Sequence, residues 1–80
     1  MQIVLRSPTP EEYLSLRDTT TWWNVDRQAL SRALEKSLFA VVAMEGDRVV
    51  AMGRIVGDGA LYFYLQDLIV HPEYQGRGLG

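Results

Sequence analysis

Hydrophobic and polar positions divide the chain into a helical first half and a sheet-forming second half. Residues 2–6 alternate enough to predict a short strand. Ser7-Pro8-Thr9-Pro10-Glu11-Glu12 then reads as a helix start, in which Thr9 caps, Pro10 takes the first helical position and Glu12 closes a capping box. A first helix is expected over 10–18, burying Tyr13, Leu14 and Leu16, with Arg17 favourably placed against the dipole in its last turn. Thr19-Thr20-Thr21-Trp22-Trp23-Asn24-Val25 leaves helical geometry easily, because its β-branched and polar side chains compete with the helical backbone. It predicts a loop carrying two tryptophans, one of them plugging the core, with Asn24 or Asp26 capping the next helix. That second helix, over 27–37, places Ala29, Leu30, Ala33 and Leu34 on one face.

The period then changes to that of a sheet. Strands are expected over 38–45 and 48–56, joined by Gly46-Asp47 as a two-residue hairpin turn that needs positive φ at its first position. Gly57-Asp58-Gly59 makes the next reversal, and a long apolar run covers 60–71. That run exceeds an ordinary strand, so a bulge is expected near Gln66 or Asp67, where polar residues interrupt it. Tyr62 and Tyr64 share one face of this strand and are expected against a helix.

Composition narrows the classes of function. A hydrophobic fraction of 48% calls for a folded core, although a chain of 80 residues buries only about 60–65% of its unfolded surface. The net charge of −2, with both signs interspersed, provides no basic stripe for nucleic acid. Without cysteine there is no disulfide framework, thiolate metal site or cysteine nucleophile. No apolar run approaches membrane-spanning length and the start does not read as a secretory leader, so no membrane partner and a cytoplasmic location are expected.

The chemistry concentrates at the end of the long run, His71-Pro72-Glu73-Tyr74-Gln75-Gly76-Arg77-Gly78-Leu79-Gly80. Pro72 stops the strand, and alternate glycines leave backbone N–H groups free to converge on an anion. Taken alone, such a loop also fits any exposed turn. The Walker pattern is excluded because no lysine with a serine or threonine behind it comes after the glycines. The dinucleotide fingerprint is disfavoured because the loop succeeds antiparallel hairpins rather than lying in a parallel βαβ unit.

The element order and the phrase Gln-Asp-Leu-Ile-Val-His-Pro-Glu-Tyr-Gln-Gly-Arg-Gly-Leu-Gly resemble the N-terminal half of the GNAT N-acetyltransferase superfamily. Gln75, Gly78 and Gly80 match the Gln/Arg-x-x-Gly-x-Gly/Ala pattern of its acetyl-CoA loop, and the resemblance covers essentially the whole chain. It implies one partial domain of α/β (α+β) class: a strand, two helices, a three-stranded antiparallel meander and a CoA loop over 72–80. It further implies acetyl transfer from acetyl-CoA to a primary amine, with diphosphate on the amides of Gln75, Gly76, Arg77, Gly78, Leu79 and Gly80. The pantetheine arm would run along Leu68, Ile69 and Val70, one of whose amides would meet the developing oxyanion.

Among side chains, Asp67 is the candidate general base, since an apolar strand would desolvate its carboxylate and raise its proton affinity. An alkyl amine with a pKa of about 10.4 needs roughly 4–5 kcal/mol to become neutral at pH 7, which gives a base something to do. The alternative is that Asp67 caps a bulge or pairs with Arg54. His71 is the second candidate base, set against an ordinary surface role. Trp22, Trp23 and Asn24 are candidates for the acceptor pocket, with a cation–π contact to a small-molecule or peptide ammonium. Arg54 and Asp58 are expected to flank the same cleft.

Because the family's later strand and CoA-packing helix would lie beyond Gly80, the isolated chain is expected to show little turnover. Its last strand is expected to keep an open edge that invites a homodimer. The competing functional class is a non-catalytic module that binds acyl-CoA or dimerises through that edge.

Overall fold

The structure, a computed structural model, describes residues 1–76. Strand β1 (Gln2–Val4) leads through helix α1 (Pro10–Arg17) and helix α2 (Arg27–Glu35) into strands β2 (Phe39–Glu45), β3 (Arg48–Gly57) and β4 (Phe63–Val70). A single turn of 3₁₀ helix comes next at Pro72–Tyr74. The four strands form one antiparallel sheet in the order β1-β2-β3-β4, so β1 and β4 are its edges.

The caps hold each helix where its sequence begins to favour it. Thr9 and Glu12 exchange the two hydrogen bonds of a capping box, at 3.1 and 2.9 Å, and Arg6 grips both oxygens of Glu12, tying the end of β1 to the start of α1. Asp26 caps α2 by accepting from the Ala29 amide at 2.9 Å. The two helices lie on one face of the sheet, where Tyr13, Leu16, Leu30 and Leu34 seal Val42, Met52 and Ile69. Leu16, only 1% exposed, is the centre of the α1 contribution, while Ala29 is exposed because α2 turns only Leu30 and Leu34 fully inward.

Both expected irregularities of the sheet are present. Gly46 has φ +61° at the β2–β3 turn. In β4, Arg54 faces Gln66 and Met52 faces Ile69, so the pairing slips by one residue at Asp67, which has φ +57°. That slip decides which way side chains point. A one-residue shift moves everything beyond it to the other face, so Leu65 and Leu68 both surround Gly53 on the open face while Asp67 is buried at 5% exposure.

Three expectations need correction. Residues 60–62 are not strand: the Asp58 carboxylate accepts from the amides of Ala60, Leu61 and Tyr62 at 2.8–3.1 Å, an Asx arrangement that removes them from the ladder. Tyr62 and Tyr64 do not pack on a helix; each is 63% exposed, Tyr62 held in the Asp58 turn and Tyr64 paired with Val56, past the Arg54 contact with the end of α2. Strand β1 stops at Val4 rather than at residue 6, since the Arg6 amide turns back onto the Val4 carbonyl at 3.1 Å.

Candidate functional site

The site is built around the bulge of β4 and the outer edge that runs on from it. His71 donates its amide to the Val50 carbonyl at 2.8 Å, and Ile69 faces Met52 two residues earlier. In an antiparallel ladder the peptide groups alternate between the partner strand and the opposite side. The outward phase therefore falls on Val70 and, at the rim of the bulge, Leu68, whereas Ile69 is turned into the sheet with its side chain in the core. The Val70 carbonyl accepts from the Gln75 side-chain amide at 3.0 Å, which ties Gln75 back to this edge.

Pro72–Tyr74 makes the transition from strand to glycine loop. The His71 Nδ1 accepts from the Glu73 amide at 3.1 Å, and Nε2 lies 2.8 Å from Arg48 Nη2, so both ring nitrogens serve the turn and the sheet rim. Gly76 has φ +82°, and among the described residues nothing lies within 4 Å of where its Cβ would be. The Gln75 amide points to the Pro72 carbonyl at 3.4 Å. Arg77, Gly78, Leu79 and Gly80 lie outside the described residues.

Behind the bulge lies a buried polar network under the helices. Arg54 Nε donates to Asp67 Oδ2 at 2.6 Å, and Arg54 Nη1 reaches Ser37 Oγ at 3.1 Å and the Ala33 carbonyl at 3.4 Å, which joins β3 to the end of α2. The pairing between Asp67 and Arg54 that the sequence left open is thus present. On its other oxygen Asp67 faces Arg17 Nη1 at 3.6 Å. Arg17 also donates from Nη1 to the Tyr13 hydroxyl at 2.7 Å and from Nε to the Trp23 carbonyl at 2.9 Å. Burial, and after it the charge and hydrogen bond of Asp67, pushes the Tyr13 phenol above its usual range. The Asp67 carboxylate thus stands between two guanidinium groups, one on each oxygen.

Neither tryptophan plugs the core, contrary to expectation: Trp22 is 42% and Trp23 78% exposed. Both rings, with that of Tyr13, instead surround the Arg17 guanidinium at 5.3–5.7 Å. Asn24 is exposed beside them. Asp58 does not face the same cleft as Arg54, being occupied by the turn amides, which hold its carboxyl below the usual range. Arg17 is the residue that the sequence did not single out. Its one signal was the four-residue spacing from Tyr13, which sets both on one helix face. Among the described residues no cluster of His, Asp or Glu could hold a metal, and no helix is long and apolar enough to cross a membrane.

Comparison with known proteins places these features in a wider group. The sequence profile described as the Acetyltransferase (GNAT) family matches residues 2–80. An uncharacterized N-acetyltransferase, ycf52-like, of Prochlorococcus marinus is 30% identical over 73 residues, 86% of this chain and 41% of its own length. A probable acetyltransferase of meticillin-resistant Staphylococcus aureus, described as a protein of unknown function, superposes with a TM-score of 0.90 at 33% identity. A GNAT-family acetyltransferase of Streptococcus pneumoniae gives 0.78 at 37%. Each solved structure is matched over 98% of this chain and 59% of its own length, so the chain spans well under two thirds of these relatives.

Proposed function

The chain belongs to the GNAT acetyltransferase family, and from that membership we propose that it supplies the acceptor side and the first half of the acetyl-CoA site of an N-acetyltransferase. The observation that carries this reading is the left-handed bulge at Asp67 continued by an outward strand edge at Leu68 and Val70 and by the left-handed Gly76. Such an edge turns peptide groups outward toward an extended amide-bearing arm, as an added strand would use them, with the Val70 carbonyl already taken by Gln75. A glycine in the left-handed region, with Gly78 and Gly80 next in the sequence, fits amides converging on a diphosphate.

Acetyl-CoA brings a thioester. The amine nitrogen of the acceptor forms a bond to its carbonyl carbon, the carbon–sulfur bond breaks, and the amine gives up a proton as the thiolate departs. This chain's part is to hold the carbonyl oxygen against an outward amide of Leu68 or Val70, where a donor aimed at developing charge acts most strongly. Trp22, Trp23 and Asn24 wall the acceptor side. Asp67 serves either as the proton acceptor or, given its two arginine partners, as the residue that fixes the bulge; a primary amine of a small molecule or a peptide is the acceptor class.

Titration of CoA by calorimetry tests this reading. Binding that is lost in Gly78→Val supports it, and unchanged affinity in that variant counts against the loop. With acetyl-CoA and a panel of amines, the isolated chain is expected to give little or no turnover, and full catalysis would refute that part. A second reading, a module that pairs with another copy of itself along the β4 edge, is favoured by the exposure of Phe63, Leu65 and Leu68 beside that edge. Size-exclusion chromatography separates the two, since a strict monomer removes the second.

A further inference from the structure

We infer that Arg17 is a positioning residue that clamps the tryptophan loop, residues 19–25, to the Asp67 bulge, so that the acceptor wall and the acyl-presenting strand keep one relative placement. The functional meaning of this clamp rests on the reading proposed above; the clamp itself does not. Arg17 and Asp67 are the two buried charged residues among those described. The guanidinium is engaged on its edge and on its faces. Its edge donates to the Trp23 carbonyl and the Tyr13 hydroxyl and faces Asp67. Trp22, Trp23 and Tyr13 take up the surrounding space at 5.3, 5.6 and 5.7 Å. Only a planar, delocalised cation can donate edge-on while it lies against aromatic rings, which an ammonium cannot do.

The role of the two indoles changes accordingly. The cation that they attract is the chain's own, so a substrate ammonium on the same ring faces would have to displace a buried arginine. The tryptophans form a wall held from behind rather than an ammonium cage, and the acceptor meets their exposed sides.

Asp67 completes the link. Its backbone makes the bulge, and its carboxylate stands between Arg17 and an Arg54 that is itself anchored to the end of α2. A change at the bulge is therefore felt at the tryptophan loop through a single carboxylate. Were Arg17 only filling space, a change at Asp67 would leave the indoles as they are.

The test uses Asp67→Asn and Arg17→Lys in the full chain, with circular dichroism to verify the fold. Asparagine keeps the size and the tolerance for left-handed backbone but loses the charge; lysine keeps the charge but loses the planar fork. The readout is the anisotropy of tryptophan emission without ligand, which reports how tightly the indoles are held. A loss of anisotropy is expected in both variants, with the double variant no lower than the worse single one, as for residues acting through one network. Wild-type anisotropy in Asp67→Asn, or losses that add, would overturn the clamp. Should Asp67→Asn fail to fold, Arg17→Lys decides alone, and unchanged anisotropy there overturns it. The CoA titration of the unaltered chain tests the underlying reading separately, so the two failures are distinguishable.

Discussion

The two faces of the sheet carry similar apolar side chains in very different surroundings. On the helix side, Val42, Met52 and Ile69 are sealed beneath α1 and α2. On the other side, Phe39, Leu65 and Leu68 are roughly half exposed or more, and a shallow apolar depression lies over Gly53. Hydropathy along β2, β3 and β4 does not distinguish them; what does is polar satisfaction. The covered face ends in a network in which, among the described residues, every buried polar side-chain atom has a partner, whereas the exposed patch of the open face has little besides apolar surface to offer. The rigidity of the bulge therefore belongs to the covered face, while the exposed apolar patch around Gly53 contributes little to it.

This division can be broken most severely at Asp67. Asp67→Ala leaves two guanidinium groups facing each other without a counter-charge and is expected to cost about 3–5 kcal/mol in urea unfolding. Leu16→Ala, at the centre of the same face, is expected to cost about 2–5 kcal/mol through lost contacts and an unfilled cavity. A smaller signature comes from Tyr13, whose folded-state pKa is raised by burial. Its contribution is complete below the unfolded phenol pKa and is lost as pH rises through the folded one, so stability measured from neutral to strongly alkaline pH should fall only at the upper end. Thr9→Ala removes the cap of α1 and should cost about 1 kcal/mol. Leu65→Thr, on the open face, is expected to move unfolding by no more than about 0.5 kcal/mol, yet to reduce any self-association seen by chromatography. A large loss of stability in Leu65→Thr would erase the distinction between the faces.

The sequence made local features legible where one residue type has one physical solution. Thr9 with Glu12, Pro10 after the cap, Gly46 at a hairpin and the polar interruption at Gln66-Asp67 each point to one geometry, and each takes that geometry in the structure. Features that depend on partners far along the chain were not legible. The Asp58 side chain shortened β4 by competing for three amides. One tryptophan looked like core because large rings usually are, yet both lie exposed against the buried Arg17 guanidinium. Arg17 itself looked like a cation placed for the helix dipole, since nothing near it in the sequence announces a carboxylate fifty residues later. The residues proposed to meet acetyl-CoA obey the same rule: Pro72 and the glycines stand out by spacing, whereas the direction of the Leu68, Ile69 and Val70 peptides had to wait for the register of the sheet.

The bulge also limits what position 67 can tolerate over generations of mutation. A left-handed backbone there narrows the choice to glycine, asparagine and aspartate at small cost, and the two facing cations then reject the uncharged pair. A saturation library selected for folding at this codon should rank aspartate first and asparagine next, although the site lies in the middle of a strand where valine or isoleucine would ordinarily win.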